Sequence, residues 1–365
     1  MKVLICPLNW GLGHATRSSP IVDIFIQRGH EVHLASDGLA KVVLSRSYPQ
    51  LPIHSLAPLT IVYGKSFWIK LFSQIFPFIF WLIKDHIVML RLQKEHQFDL
   101  IISDSRPSCF IRGVYSTFIS NQTSPILPNP TLQKLIRRAL IRIMHNFDEV
   151  WIPDLPGDHA LSGELIQVPQ KMNTRFLGFL SRLSPVKYFP DTIKIYKTIA
   201  LVSGPEPMRS DLEDFLKSHL NDAEVLIIGG RPDKSGTNNH HYIPYLSPAD
   251  LSIYLSKAER IISRGGYSSL LDFTSFNRRL ILIPTPGQPE QNYLAQKIAA
   301  MNMAVIWDTN RENWDEVKAR CEKTQPFYLK NDSNLLAQAI DHLELKFKQK
   351  STSTPVPLQF LSMSK

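Results

Sequence analysis

Residues 260–276 read RIISRGGYSSLLDFTSF, and their pattern indicates the fold class. A short apolar run comes first, a glycine pair follows at Gly265 and Gly266, and a helical pattern extends from Tyr267 to Phe276. An apolar strand followed by a glycine turn and a helix is the repeating unit of a parallel α/β sheet. Backbone N–H groups at the start of such a helix favour a bound anion.

The same order of strand, loop and helix recurs along the chain. It begins at residues 2–28, KVLICPLNWGLGHATRSSPIVDIFIQR, and restarts near Thr198 after a proline-containing join. The sequence therefore predicts an α/β protein of two doubly wound, Rossmann-like domains that face each other across a cleft. We expect the first domain at 1–183, the second at 190–346, and a poorly ordered tail at 347–365.

The composition excludes several classes of protein. Of 365 residues, 44% are hydrophobic and 20% are charged, which is typical of a globular chain. Three widely spaced cysteines argue against a disulfide scaffold or a cysteine-rich zinc site, so we predict a reducing, cytoplasmic setting. The net charge of +9 favours anionic partners. Because no basic run is interleaved with aromatic residues, no nucleic-acid partner is expected.

Residues 71–83, LFSQIFPFIFWLI, form an uncharged and mainly apolar stretch. It is shorter than the roughly 20 residues that cross a bilayer, and it contains Pro77. Two interpretations stay open: a buried helix of the N-terminal core, or a patch within 67–90 that contacts an anionic membrane at its inner face. Aromatic residues beside cations support the second: Trp68, Phe72, Phe76, Phe80 and Trp81 with Lys65, Lys70, Lys84 and Arg91.

The loop after the first strand holds Gly11, Gly13, His14 and Arg17. Its glycines let the backbone approach a ligand, and His14, with an ordinary pKa of about 6.5, suits a general base. The alternative is a structural histidine that caps a helix turn.

Asp104 ends a second apolar strand, IISD at 101–104. In a parallel sheet its carboxylate lies at the same edge as His14, where it would fix the tautomer of the imidazole and stabilise the imidazolium. The alternatives are that Asp104 caps the following turn or pairs with Arg106.

Residues 260–276 and the segment PTPGQPEQN at 284–292 supply further polar groups. Gly266, Tyr267 and Ser268 predict an anion cradle of N–H groups and hydroxyls, with positive charge from Arg264. Asp272, one turn into the helix, would accept hydrogen bonds from vicinal hydroxyls. Three side chains at the next helix start are suited to a polyhydroxylated ring: Glu290, Gln291 and Asn292.

No metal and no cofactor are expected. The sequence has no cysteine cluster and no Asp-x-Asp pair to hold a cation. His240 and His241 are adjacent, and neighbouring side chains on a strand point to opposite faces, which makes a poor chelate.

Three motifs resemble the GT-B nucleotide-sugar glycosyltransferases of the MurG type: Gly11-x-Gly13-His14, Ser263-Arg264-x-Gly266, and Pro286-Gly287-Gln288-x-Glu290-Gln291-x-x-x-Ala295. The resemblance is strongest over 260–300, clear at 1–35 and weak between them. It implies a C-terminal domain that binds a UDP-sugar and an N-terminal domain that binds the acceptor, without a metal. It also implies roles for single residues: His14 as base or acceptor contact, Ser203 near the diphosphate, Asp272 at the ribose, and Gln291 and Asn292 at the donor sugar.

One loop departs from that family. Residues 203–207, SGPEP, stand where the family has a glycine-rich loop. The two prolines remove two backbone donors. Glu206 beside a phosphate would need an offsetting cation, Arg209 or Arg264.

These features predict a metal-independent inverting glycosyltransferase of the hexosyltransferase class. It would transfer a hexose or N-acetylhexosamine from a UDP-sugar to a hydroxyl of a glycan or lipid-linked acceptor, with His14 as the base. One alternative is a nucleotide-sugar hydrolase, because Gly-x-Gly-His-x-x-Arg at 11–17 also resembles the PseG type, in which water replaces the acceptor. Another is a nucleotide-sugar-binding or membrane-scaffolding protein without catalysis.

Overall fold

Two parallel β-sheets form the centres of two α/β domains. The computed structural model describes the following residues: 1–10, 12–59, 67–187, 196–220, 223–234, 241–332 and 334–352, the side chains of 67–75 and 350–352 excepted. The doubly wound, two-domain α/β architecture predicted from the sequence is confirmed.

The N-terminal sheet contains these parallel strands: β1 (Lys2–Pro7), β2 (Glu31–Ser36), β3 (Ile53–Ser55), β4 (Leu100–Asp104), β5 (Tyr115–Ile119), β6 (Glu149–Ile152) and β7 (Thr174–Phe176). Their spatial order is β3-β2-β1-β4-β5-β6-β7. The order reverses between β1 and β4, where Pro7 pairs with Asp104. Doubly wound sheets bind their ligands at such a switch point, beyond the carboxyl ends of the strands.

The C-terminal sheet repeats this plan with these parallel strands: β8 (Thr198–Leu201), β9 (Val225–Ile228), β10 (Tyr242–Ile243), β11 (Arg260–Ser263), β12 (Arg279–Leu282) and β13 (Ala304–Ile306). Their order is β10-β9-β8-β11-β12-β13, so the switch point lies between β8 and β11. The polar residues that follow these two strands therefore lie at the edge where a ligand is expected.

Helices cover both faces of the sheets: α1 (Gly13–Arg17), α2 (Ser19–Gln27), α3 (Gly38–Ser47), α4 (Phe67–His96), α5 (Pro130–Met144), α6 (Met208–His219), α7 (Pro248–Lys257), α8 (Tyr267–Phe273), α9 (Pro289–Ala300), α10 (Trp314–Glu322) and α11 (Asn334–Thr352). This arrangement needs strands that are apolar on both faces. In β1, Val3 and Ile5 pack into one core layer while Leu4 and Cys6 pack into the other.

The last helix, α11, returns to the N-terminal domain. Ala339, Ile340 and Leu343 are buried in the same core layer as Val3, and Arg28 Nη1 donates to Asp341 Oδ1 at 2.6 Å. The boundary expected from the sequence, which placed residues up to 346 in the C-terminal domain, is wrong for this helix. The apolar face of α11 finds its partner across the domain boundary. The expected tail also begins too early, because α11 extends to Thr352; residues 353–365 lie outside the described part.

The apolar stretch at 71–83 lies within α4 and has two different faces. Trp81, Asp85 and Met89 are buried on the side of the sheet. The other side exposes apolar side chains at helical spacing: Phe76 (82% exposed), Phe80 (69%), and also Ile79, Ile83, Ile87 and Leu90. The expectation of a core helix therefore holds for one face only.

Trp81 is a core residue, which corrects its expected role in a membrane patch. Its Nε1 donates to the carbonyl of Ala57 at 2.9 Å. The side chains of Trp68 and Phe72, expected in the same patch, lie outside the described residues. Within the described chain, no helix is long and apolar enough to cross a bilayer.

Candidate active site

Residues that follow the strands of both sheets line one cavity of about 420 Å³. The N-terminal wall is mainly apolar apart from the residues after β1, β4 and β5, and includes Leu8, Trp10, Leu12, His14, Arg17, Pro107, Phe118, Asn121, Leu140 and Met144. The C-terminal wall includes Ser203, Gly204, Gly266, Tyr267, Ser268, Ser269, Asp272, Glu290 and Gln291. The cavity therefore joins an apolar surface to a polar one.

The two domains approach closely at α1 and α8. A Cβ atom on Gly13 would lie 2.8 Å from Ser268 Oγ, so the absence of a side chain at Gly13 allows this approach. Gly11, expected in the same loop, lies outside the described residues.

His14 and Asp104 form a hydrogen-bonded pair at the edge of the N-terminal sheet. His14 lies in α1 and its Nδ1 is 2.9 Å from Asp104 Oδ1, at the end of β4. Arg17 Nη2 lies 3.0 Å from the same nitrogen and donates to Asp104 Oδ1. With the carboxylate of Asp104 as its hydrogen-bond partner, Nδ1 carries the proton of the neutral imidazole, because an ionised carboxylate only accepts. This leaves Nε2 with a free lone pair, the arrangement of a general base.

Arg17 completes a buried group around Asp104. Its Nε donates to Asp104 Oδ2 at 2.8 Å, its Nη2 donates to Oδ1, and its Nη1 donates to Asn121 Oδ1 at 2.6 Å. Arg17 was expected to be an acceptor-loop residue, but these bonds occupy its guanidinium. The alternative pairing of Asp104 with Arg106 does not occur, since Arg106 binds Asp85 instead.

The charges of this group are set by burial and by the ion pair. Although burial opposes ionisation of Asp104, Arg17 and His14 hold the pKa of its carboxyl well below its usual range. Burial lowers the pKa of His14, and the cation of Arg17 lowers it further, which outweighs the opposite effect of Asp104. His14 is therefore neutral, and Asp104 ionised, at pH 7.

The lowered pKa of His14 leads to an expected pH dependence of turnover. A base with a lowered pKa keeps its lone pair until the pH falls below the ordinary value of about 6.5. We expect kcat/KM to be constant from about pH 7 to about pH 6.5 and to fall at lower pH, as His14 becomes protonated. The measurement is kcat/KM between about pH 4.5 and 8 with one donor and acceptor. An acid limb centred above about pH 6.5 would contradict the assignment.

In the C-terminal domain, Gly266 directly precedes α8, and Ser268 and Ser269 line the cavity. The hydroxyl of Tyr267 donates to the carbonyl of Pro153 at 2.7 Å. Tyr267, predicted to bind the donor, therefore also ties the two domains together. Its hydroxyl stays protonated because burial raises its pKa well above the usual value.

Asp272 lies beside the segment that joins the domains. Its Oδ1 accepts from Ser181 Oγ at 2.9 Å, and Arg182 Nε lies 3.8 Å from its Oδ2. Burial raises the pKa of Asp272, although Arg182 and Ser181 oppose the shift. Since Asp272 and Arg182 both line the cavity, a ligand there meets this pair rather than an isolated carboxylate.

Glu290 and Gln291 both lie at the start of α9 and differ in their bonds. Glu290 Oε1 accepts from Asn121 Nδ2 at 2.9 Å, a contact between the domains. Gln291 Oε1 accepts from the N–H of Thr285 at 2.8 Å, and its Nε2 donates to Gln288 Oε1 at 2.6 Å. Gln291 therefore holds the loop before α9 in place.

Two residues predicted to bind the donor, Arg264 and Asn292, do not line the cavity. Arg264 is buried, and its Nη2 donates to the carbonyl of Met208 at 2.6 Å. Adjacent residues at a strand end point to opposite faces, and this turns the guanidinium of Arg264 toward α6 instead of the ligand. Asn292 is exposed, because one residue further along a helix turns the side chain by about 100° from the inward direction of Gln291.

In the loop after β8, Glu206 has a neighbouring cation, as expected from the sequence. Arg209 Nε donates to Glu206 Oε1 at 2.7 Å, and Arg209 Nη1 donates to Glu213 Oε2 at 2.6 Å. Of the two cations considered from the sequence, Arg209 offsets this carboxylate and Arg264 does not. Ser203 and Gly204 remain on the cavity wall.

Sequence reasoning missed Asn121 and Arg182. Asn121 follows β5, a strand that the sequence did not reveal, and the position directly after a strand of a doubly wound sheet is the signal that could have found it.

Among the described residues, no group of three or more His, Cys, Asp and Glu side chains could hold a metal ion.

Residues 217–350 match the model of the glycosyltransferase family 28 C-terminal domain. An uncharacterized glycosyltransferase of Methanosarcina acetivorans is 22% identical over 318 residues, which cover 80% of this chain and 81% of that protein. The hydrolase alternative finds no support in these matches.

Solved glycosyltransferases share the fold over nearly the whole chain. The calicheamicin glycosyltransferase CalG4 superposes with a TM-score of 0.61 at 11% identity, covering 97% of this chain and all (100%) of that one. SnogD of Streptomyces nogalater gives 0.59 at 16% identity, with 94% and 99% coverage. The spinosyn rhamnosyltransferase SpnG complexed with thymidine diphosphate gives 0.57 at 14% identity, with 98% of both chains covered. The chain thus has the two-domain fold of these GT-B glycosyltransferases, and its residues 217–350 are similar to the family 28 C-terminal domain.

Proposed function

We propose that this glycosyltransferase transfers a hexose or N-acetylhexosamine from a UDP-sugar to a hydroxyl acceptor, with inversion and without a metal. One observation carries the proposal: the His14–Asp104 pair and the start of α9, with Glu290, meet at the same cavity from opposite domains. A base on one side and polar sugar ligands on the other are what a direct displacement requires.

The reaction proceeds in one displacement. His14 Nε2 takes the proton of the acceptor hydroxyl while that oxygen attacks the anomeric carbon of the donor. The bond from this carbon to the diphosphate oxygen breaks, and its electron pair leaves with the nucleotide. The imidazolium is stabilised by the carboxylate of Asp104, which stays ionised beside Arg17. Attack opposite the leaving group inverts the anomeric configuration.

The departing diphosphate is placed against the start of α8. Backbone N–H groups there have no partner one turn earlier in the helix, and Ser203, Ser268 and Ser269 add hydroxyls. Such donors, fixed in advance, stabilise developing charge without a metal. Arg264 has no part in this step, because its guanidinium binds backbone carbonyls.

The apolar N-terminal wall favours a glycan or lipid-linked acceptor with an apolar portion. That portion would contact Trp10, Pro107, Phe118 and Leu140, while the reacting hydroxyl meets His14.

Thymidine diphosphate is the nucleotide named for one structural neighbour, so thymidine and uridine donors are both tested.

The test is nucleotide release from a panel of UDP- and dTDP-sugars, with and without candidate acceptors, in EDTA. We expect release from a UDP-sugar that depends on the acceptor and is unchanged by chelation. Fast release without an acceptor would instead support the hydrolase alternative, and binding without release would support a silent binding protein. Loss of activity in EDTA that Mg²⁺ restores would overturn the metal-free step.

Asp272→Ala tests the contact proposed between this carboxylate and the ribose of the donor. We expect weaker UDP binding by about 1.5–3 kcal/mol, the range for a hydrogen bond to a charged group. The measurement is calorimetric titration with UDP, alongside thermal unfolding. Ser181→Ala is the matched control, since it removes the hydroxyl that donates to Asp272 and keeps the carboxylate. Lowered thermal stability with unchanged UDP affinity would make Asp272 a structural residue of the domain join.

A second proposal is that the N-terminal domain contacts anionic membrane lipid, at the inner face of the cytoplasmic membrane. The exposed apolar face of α4 supplies the insertion surface. On α5, basic side chains recur at intervals of four residues at Lys134, Arg138 and Arg142, and the helix has no acidic residue.

The two helices lie on the same side of the sheet. The ring of Phe110 lies 5.0 Å from that of His86 on α4 and 5.5 Å from that of Phe147, just after α5. Apolar and basic surfaces side by side are typical of interfacial binding.

Replacing Phe76 and Phe80 together by serine should remove the part of vesicle binding that salt does not screen. Wild-type protein should bind vesicles rich in phosphatidylserine, less strongly but measurably at high salt. The double variant should bind only at low salt, with UDP affinity unchanged, in a cosedimentation assay. Leu345→Ser, at an exposed position of α11, is the control. A folded double variant that binds like wild type would place the contact elsewhere.

A further inference from the structure

An unbroken series of hydrogen bonds crosses the cavity from the donor side to His14. Glu290 Oε1 accepts from Asn121 Nδ2 at 2.9 Å, and Asn121 Oδ1 accepts from Arg17 Nη1 at 2.6 Å. Arg17 Nε donates to Asp104 Oδ2 at 2.8 Å, and Asp104 Oδ1 binds His14 Nδ1 at 2.9 Å. The series begins in the C-terminal domain and ends in the N-terminal domain.

Asn121 is the member that joins the two domains. It is 7% exposed, and both ends of its amide are used. Its Oδ1 faces a cation that only donates, and its Nδ2 faces a carboxylate that accepts, so neither bond survives a flip of the amide. At this site a carboxylate would keep the bond to Arg17 and lose the bond to Glu290.

The bond from Asn121 also fixes how Glu290 faces the cavity. With Oε1 taken by Asn121, Oε2 is the oxygen that this cavity-lining carboxylate would offer to a ligand. Burial raises the pKa of Glu290, although Arg17 and Asn121 oppose the shift, so its ionisation depends on these two neighbours. The side chain that would accept from a sugar hydroxyl is thus held by the opposite domain.

We propose that Asn121 is a positioning residue: it aligns Glu290 toward the donor sugar and Arg17 toward the His14–Asp104 pair. Glu290 on the donor side and the His14–Asp104 pair on the acceptor side are then aligned only when the cleft is closed and this bond is formed. The proposal rests on the proposed function, since it takes Glu290 as a ligand of the donor sugar.

The test compares Asn121→Asp in two backgrounds, wild type and Glu290→Gln. In the wild-type background, the substitution places two carboxylates against each other and the bond is lost. In the Glu290→Gln background, the new amide donates to the new carboxylate, and a bond of reversed polarity forms. Glu290→Gln alone keeps the original bond, because the amide oxygen still accepts from Asn121. Any change in sugar affinity caused by the loss of the Glu290 charge is common to both proteins of the second background and cancels in the comparison.

We expect Asn121→Asp to lower kcat/KM by about tenfold or more in the wild-type background, and by less than about threefold in the Glu290→Gln background. UDP-sugar affinity should follow the same pattern, while affinity for UDP without a sugar should stay constant in all four proteins. Equal losses of kcat/KM in both backgrounds would overturn the proposal. A change in UDP affinity that parallels the loss would overturn it as well.

Thermal unfolding separates this proposal from the proposed function. Two facing carboxylates share a proton more readily at low pH, so the Tm deficit of Asn121→Asp in the wild-type background should grow from about pH 5 to about pH 8. In the Glu290→Gln background no such growth is expected. If the Tm loss caused by Asn121→Asp depends on the residue at position 290 but the loss of kcat/KM does not, Asn121 has only a structural role and the proposal fails. If no nucleotide-sugar is bound or used, although the Tm loss differs between the two backgrounds, the proposed function fails. The role of Asn121 toward the donor then fails with it.

Discussion

Replacing His14 by alanine should lower kcat by about 10²–10⁴-fold, the usual contribution of a general base. Burial and Arg17 keep the imidazole neutral, and Asp104 holds its Nδ1, so that Nε2 is the only nitrogen left to take the acceptor proton. UDP affinity should change little, because the site proposed for the diphosphate is at α8 in the other domain. Steady-state kinetics and calorimetric titration with UDP measure the two effects.

Asp104→Asn and His145→Ala are the comparison variants for this result. Asp104→Asn keeps the size of the side chain but allows an amide N–H to face Nδ1, which favours the wrong tautomer of His14. It should therefore lower kcat as well. His145 is exposed at the end of α5, and its loss should leave kcat near the wild-type value. Near-normal turnover of His14→Ala would remove this residue from the mechanism.

Arg106→Met should destabilise the protein by about 3–5 kcal/mol, because it leaves buried carboxylates without their cation. Arg106 is fully buried, and its Nε and Nη2 donate to Asp85 at 2.7 and 2.9 Å. Its Nη1 donates to Asp37 at 2.6 Å, and its Nη2 also reaches the carbonyl of Ala57 at 2.7 Å. This network joins α4 to the loops after β2 and β4.

Chemical denaturation of Arg106→Met, compared with Arg106→Lys, measures this effect. Lysine keeps the charge but not the planar fork that reaches both carboxylates, so an intermediate loss of stability is expected. If Arg106→Met unfolds at the wild-type denaturant concentration, the ion pairs of Arg106 with Asp85 and Asp37 do not stabilise the fold. Where expression of Arg106→Met fails, Asp37→Asn tests the same network with a smaller change.

The order of strands and helices could be predicted from the sequence because buried parallel strands are short apolar runs between turn residues. β6, β9 and β11 are such runs, and each ends close to a glycine, a proline or a polar residue. By contrast, β3 and β7 have only three residues each and lie at the sheet edges, where burial is incomplete. Their sequences carry too weak a pattern to be recognised.

Long-range packing explains why the domain boundary was wrong. The apolar face of α11 shows that this helix has a partner, but the helix pattern does not say which domain supplies it. Ala339 and Leu343 pack into the core layer that contains α2, which lies more than 300 residues earlier in the chain. The same limit applies to α4, whose two apolar faces look alike in sequence although only one of them meets the sheet.

Within the site, the positions at strand ends were easier to predict than the directions of their side chains. His14 and Asp104 follow neighbouring parallel strands, so their proximity comes directly from the topology. Arg264 and Asn292 also lie at such ends, but a strand terminus and a helix turn direct them away from the cavity. The position of Asn121 after β5 could have marked it as a site residue, but its bond to Glu290 could not be predicted, because that bond depends on a contact with the other domain.

A crystal structure of the chain with an unreacted UDP-sugar would show whether the donor sugar lies between α8 and His14. We expect the diphosphate against the backbone of residues 266–269, the sugar hydroxyls beside Glu290, and the anomeric carbon turned toward His14 Nε2. A nucleotide bound outside this cavity, or a sugar whose anomeric carbon faces away from His14, would contradict this expectation.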